Sequence, residues 1–209
     1  MTPEELADYR QNISEKHLVL VGFADDLPVA GDDVESEDHH ADSVAEAIFL
    51  RGFTTYESHI EKLFFHYVTG GLSANGVAAA SHLKPSNEEI ARKIVKAGFK
   101  FLSWAKPSNT SLTAQLYLEN GWPLVDMMAT KTQELSDCER IRNRIAHLST
   151  ESATDFGVVQ RNLLATERLF SITPGQLLRI RHRRHRMSNL KRYLNVMYET
   201  IDSIIDPPP

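Results

Sequence analysis

A single cysteine, Cys138, in a chain of 209 residues excludes an internal disulfide and leaves any metal site to histidine and carboxylates alone. Long apolar runs are missing as well. The longest, Leu18 to Ala24, is much too short to span a bilayer, and Met1-Thr2-Pro3-Glu4-Glu5 lacks the basic-then-apolar character of a signal peptide. No membrane association and a reducing, cytoplasmic location are therefore expected. There is no glycine-rich phosphate loop, no Gly-x-Ser-x-Gly elbow and no His-Glu-x-x-His, so nucleotide hydrolysis and zinc hydrolysis have no support. No cofactor and no metal are expected. No segment alternates apolar and polar residues at the period of a strand, and no internal repeat is visible.

What the chain does have is ordinary globular composition, 42% hydrophobic and 24% charged, in a length that suits one domain over residues 1–209. The net charge is only −5, but its signs are segregated. Residues 1–50 hold thirteen acids against two bases, and residues 140–192 hold twelve bases against three acids. A basic end of this density can neutralise phosphates and release their counterions, or it can simply pair with the acidic start of the chain.

Helical periodicity dominates. Thr2-Pro3-Glu4-Glu5 is a capped helix start, predicting an N-terminal helix over about 3–23 that packs on the main body. An acidic, flexible loop is expected over about 25–42, with Asp38-His39-His40-Ala41-Asp42 solvated. Phe49, Phe53, Tyr56, Ile60, Leu63, Phe64 and Tyr67 line one side of a central helix over 43–69, which Gly70-Gly71 ends. His59 and His66 on it are structural. A helix from about 88 to 104 rests on Ile90, Ile94, Phe101 and Trp104, and a short one follows through Leu112 and Leu116. After Pro123 the chain re-enters helix, with Met127 and Met128 as core fillers. The next amphipathic helix carries Phe156, Val159, Leu163, Leu164 and Phe170, and the closing one carries Leu190, Leu194, Met197, Ile201 and Ile204. The fold class is all-α, a bundle of about six to eight helices.

Within this pattern one stretch carries chemistry. Leu135, Cys138, Ile141, Ile145 and Leu148 recur at steps of three and four, giving an apolar stripe with Arg140, Arg142, Asn143, Arg144 and His147 along its edges. Arginine offers a planar fork for phosphate, asparagine a neutral amide, and histidine is the residue type that titrates near neutrality. The bare arginine-gap-histidine spacing is weakly specific, since this composition gives roughly two chance matches, Arg179 with His185 among them. The plain alternative is a solvated surface helix whose histidine caps its last turn. Glu57, at the margin of the central helix's apolar side, either orients Arg142 or Arg140 or is a half-exposed acid with no special partner. Arg179, Arg181, Arg183, Arg184 and Arg186, with His182 and His185 between them, crowd so much positive charge together that anions are needed nearby; RNA phosphate and the acidic loop are the two candidates.

The string Arg142-Asn143-Arg144-Ile145-Ala146-His147, late in an all-helical chain, resembles the signature of the HEPN superfamily, arginine, four to six residues, then histidine, often with asparagine after the arginine. The resemblance covers the chain from about Ser43 as a helical pattern and is closest to the stand-alone bacterial members. It implies a metal-independent endoribonuclease acting as a homodimer on RNA, a toxin or anti-phage defence component with an antitoxin or other neutralising protein as partner. Its catalytic residues would be Arg142 and His147, helped by Asn143 and Glu57, with Arg140, Arg144, Arg179, Arg181, Arg183, Arg184 and Arg186 holding RNA. Homodimerisation also suits the geometry, because positions five apart lie about 140° around a helix, so Arg142 and His147 of one chain diverge while two crossing copies bring them together. Arg140 and His147, seven apart, share one edge and keep a monomeric site open. The rival from another class is a non-catalytic helical RNA-binding or protein-interaction module.

Overall fold

The structure is a computed structural model that describes residues 1–30, 38–97, 103–164, 172–182 and 185–208. Among these residues it is all-α: nine α-helices, a short 3-10 turn at Glu119–Gly121, isolated bridges and no strand. The count exceeds the six to eight expected because short segments near tight turns, Leu124–Ala129 and Pro174–Arg179, are helices in their own right.

The first helix, α1 (Pro3–Asp25), begins as its sequence predicts: Thr2 Oγ1 accepts from Glu5 N at 3.2 Å and Glu5 Oε2 accepts from Thr2 N at 2.7 Å, a reciprocal cap that satisfies two amides. It packs along the closing helix, α9 (Asn189–Ile205), where Arg10 grips Asp202 through Nε and Nη2 at 2.6 and 2.8 Å. The central helix, α2 (His39–Val68), touches both α1 and α9. Its buried face is the predicted one, Phe49, Phe53, Tyr56, Ile60, Leu63 and Phe64, each worth about 1.5–3 kcal/mol on burial. Gly52 lets α9 come close: a Cβ there would stand 2.5 Å from Leu194 Cδ2. His59 and His66 are buried in this core as structural residues.

α2 starts earlier than periodicity alone indicated, because Asp38 caps it by accepting from Ala41 N at 3.0 Å. The expected solvated loop therefore loses its last residues to helix, and Asp42 is buried, not solvated. Its partner is Arg179, at the end of α8 (Pro174–Arg179). Thr173 accepts from Gln176 N and starts that helix.

The helix around residue 90, α3 (Glu88–Ala97), turns inward a face about 100° round from the one expected. Ala91 and Val95 are buried while Ile90 and Ile94 are exposed. Arg92 explains the orientation, since its guanidinium lies 4.2 Å from the Phe65 ring centre on α2 and pairs with Glu61. Trp104 is buried outside any helix, so α3 does not run on to it as expected. In α4 (Pro107–Tyr117) Thr110, Thr113 and Ala114 face inward, and Leu112 and Leu116 face out. The segment α5 (Leu124–Ala129) buries Leu124 and Met128 and leads into α6 (Thr132–Ala146), the helix of the Arg-Asn motif. α6 packs against α2, α9 and the following α7 (Thr150–Leu164), which buries Phe156 and Val159. Phe170 lies outside the described residues.

Candidate functional site

α6 is anchored by Leu135, Cys138 and Ile141, all buried, so Cys138 is the packing residue its position in the stripe implied. The stripe does not extend to Leu148. The helix ends at Ala146, His147 is extended (φ −136, ψ 126), and Leu148 is 88% exposed. A competing cap sets this end: Ser149 Oγ accepts from Ser152 N at 3.1 Å and starts α7, while Ser152 Oγ donates to His147 O at 2.6 Å. His147 N still donates to Asn143 O at 2.8 Å. The backbone of His147 is thus held on both sides, with the residue itself exposed at the junction of two helices.

The arginines of α6 divide. Arg140 Nη1 donates to Asp137 Oδ1 at 3.4 Å, and Gln133 Nε2 donates to the same oxygen at 2.9 Å. Burial raises the Asp137 carboxyl above its ordinary range, moderated by Gln133, Arg140 and Arg192. Arg140 therefore answers a buried acid of its own helix. Arg142 is turned the other way: Nη1 donates to Asn143 Oδ1 at 3.1 Å. Burial also raises the Glu57 carboxyl on α2, and the charge of Arg142 pulls it back. Burial raises the Glu139 carboxyl one turn before Asn143, and the charges of Lys106 and Arg140 lower it. Arg142 and Arg144 are half-buried by their neighbours.

Sequence reasoning missed the polar hollow of about 320 Å³ beside this helix. Lys106, Ser108 and Ser111 at the start of α4, Ser136 and Glu139 on α6, and Asp155 on α7 line it with Arg140. Its one sequence signal was Lys106-Pro107-Ser108, a helix start with no side-chain cap.

The second basic segment is not a single surface. Arg179 is 3% exposed and donates from Nη1 to Asp42 Oδ1 at 3.0 Å and to Asp38 O at 3.1 Å. It is removed from any RNA-holding role, and of the two anions that could answer it, the acidic stretch does so. Arg181 and Arg186 are exposed in the turn between α8 and α9, Arg186 with a left-handed backbone (φ 53). Arg183 and Arg184 lie outside the described residues. Among the described residues no group of three or more histidine, cysteine, aspartate and glutamate side chains could hold a metal ion.

Together these elements define an all-α bundle with an Arg-Asn pair in the last turns of one helix and a histidine at its end. Comparison with protein-family models, with curated proteins and with solved structures gives no match. Among the described residues no helix is long and apolar enough to cross a membrane.

Proposed function

We propose that the protein is a metal-independent endoribonuclease of HEPN type, working as a homodimer in the cytoplasm. The observation that carries this reading is the setting of Arg142: it donates to Asn143 Oδ1 beside it, and an exposed His147 follows at the end of the same helix. In the reaction the ribose 2′-oxygen attacks phosphorus and the bond to the 5′-oxygen breaks, leaving a 2′,3′-cyclic phosphate and a 5′-hydroxyl. His147 takes the 2′-hydroxyl proton or supplies the one the leaving oxygen needs. Arg142 binds the scissile phosphate and the charge that builds on it. Arg181 and Arg186 steer the strand without reading its bases. Leu148, exposed beside His147, would lie in the interface of two copies crossing at the motif. A toxin held by a neutralising protein, or a component of anti-phage defence, is the biological setting this chemistry suits.

The test is incubation of purified protein with mixed RNA in EDTA. Cleavage to cyclic-phosphate ends is expected, with His147→Ala slower by at least ~10²-fold, Arg142→Ala comparably slow, and RNA binding largely retained. A folded His147→Ala protein that cuts at the parental rate refutes the assignment. The second reading, a non-catalytic interaction module, draws on the same exposed Leu148 together with Leu112 and Leu116 on α4. RNA left intact by a dimeric, folded protein would favour it.

A further inference from the structure

The polar hollow of about 320 Å³ beside the motif helix lies at the small end of the range of ligand sites, with room for one ring system and not for a large molecule. Two cations and two carboxylates share it: Lys106 at the start of α4, Glu139 and Arg140 on α6, and Asp155 on α7. Arg140 Nη1 reaches Asp137, at 3.4 Å, and among the described residues Lys106, Glu139 and Asp155 close no ion pair. The hydroxyls of Ser108 and Ser111, in the same wall, have no hydrogen-bond partner among those residues either. Opposite charges that stand in one concavity without closing on each other are placed for a guest with donors on one edge and acceptors on another.

Among the RNA bases guanine meets that description. Its N1–H and N2–H2 are adjacent donors, spaced for the two oxygens of one carboxylate, while O6 and N7 on the next edge accept from a cation. Adenine, cytosine and uracil each lack the adjacent pair of donors. The hollow also lies close to the motif along α6. Glu139 stands four residues before Asn143, about 6 Å along the helix, and Asn143 Oδ1 accepts from Arg142 Nη1 at 3.1 Å. A base and the phosphate of its own nucleotide can bridge such a span. From these placements, and resting on the ribonuclease reading, we propose that the hollow binds the guanine base of the nucleotide whose 3′-phosphate is cut. Glu139 accepts from N1–H and N2–H2, Lys106 donates to O6, and the Ser108 and Ser111 hydroxyls meet the remaining edge. Arg140 and Asp155 leave the pocket without net charge, so the base enters a site that does not repel the strand. The enzyme then cuts after guanosine.

Calorimetric titration of the protein in EDTA with the four nucleoside 3′-monophosphates tests the proposal. Guanosine 3′-monophosphate should bind once per chain, at least about tenfold more tightly than the other three, the discrimination expected of one bidentate contact. Inosine 3′-monophosphate differs from it only by the missing 2-amino group and should bind about tenfold more weakly, a readout that needs no variant. Glu139→Gln, which breaks no ion pair, should keep the parental melting temperature and lose the preference for guanosine. No binding up to millimolar guanosine 3′-monophosphate, equal affinity for all four, or an unchanged preference in Glu139→Gln each overturns the site. Digestion of mixed RNA separates this failure from that of the ribonuclease reading. Cuts with no preference for guanosine overturn the guanine site alone, whereas intact RNA beside selective binding of guanosine 3′-monophosphate overturns cleavage and keeps the guanine site.

Discussion

Arg179, one of the arginines expected from sequence to hold RNA, is the clearest case of a structural arginine. It and Asp42 are 3% and 5% exposed, joined at 3.0 Å, with a second bond from the guanidinium to Asp38 O at 3.1 Å. Replacing Arg179 by methionine keeps most of the volume but leaves a carboxylate in the core, a loss of about 3–5 kcal/mol. With a denaturant dependence of about 2–3 kcal/mol/M, the urea midpoint should fall by roughly 1.5 M. The pair is not strongly favourable in itself: burial raises the Asp42 carboxyl more than the Arg179 charge lowers it, and Arg179 Nε has no partner among the described residues. Adding Asp42→Asn to Arg179→Met removes the stranded charge, so the double variant should recover more than half of the loss. Lowering the pH toward 5 should help the single variant for the same reason. An Asp42 carboxyl without its arginine titrates higher in the folded protein than in the unfolded chain, and the folded form then gains stability as pH falls. Urea unfolding of the three proteins, followed by circular dichroism at pH 7 and pH 5, gives the midpoints to compare. A parental midpoint for Arg179→Met, or a double variant as weak as the single, would refute the pairing.

Other outcomes follow from individual contacts. Arg181→Ala with Arg186→Ala should leave stability within about 0.5 kcal/mol and weaken RNA binding with a shallower salt dependence, readable by filter binding across a salt series. Ser149→Ala should cost about 1 kcal/mol by uncapping α7 and should slow RNA cleavage by loosening His147; unchanged melting would dismiss the cap. Gly175→Ala should destabilise by more than a surface change, because its Cβ would meet Asp42 O at 2.5 Å, and a parental melting temperature would contradict that contact. His59, held near 4 in the folded state against 6.5 unfolded, leaves the unfolded chain to take up the proton first as pH drops. Its contribution should be complete above about pH 6.5 and lost by about pH 4. The loss should be about 2 kcal/mol, less than the full shift implies, because the exposed lysines are screened. His59→Gln should flatten that part of the pH–stability curve.

The all-α class was legible because periodicity and caps agree along most of the chain. Thr2-Pro3-Glu4-Glu5, the aromatic side of α2 and the apolar side of α9 all fold as local pattern dictates. The misreadings share a cause, which is that a neighbour decides a face that the element alone leaves ambiguous. Ile90 and Ile94 have more apolar surface than Ala91 and Val95, yet the smaller pair faces inward, where Arg92 can cover Phe65 and reach Glu61. Leu148 continues the spacing of Leu135, Cys138 and Ile141, but Ser149 caps a new helix three residues past Ala146 and turns the chain away. The motif's residues were therefore legible and their surroundings were not. That Arg140 answers Asp137 while Arg142 bonds Asn143 depends on rotamers and burial, and spacing treats the two arginines alike. The longest-range case is the most instructive. Asp42 reads locally as one more acid of a solvated loop, and Arg179 as one more base of a phosphate-binding run. They are 137 residues apart, and only the packing of α8 on α2 makes them a buried pair. Segregated charge along a chain therefore has to be discounted by what folding pairs internally before the remainder is assigned to a nucleic acid. Here that discount removes Arg179, ties Arg140 to Asp137, and leaves, among the described arginines expected to hold RNA, Arg142, Arg144, Arg181 and Arg186 as the cations whose substitution should change RNA affinity or turnover without first changing the fold.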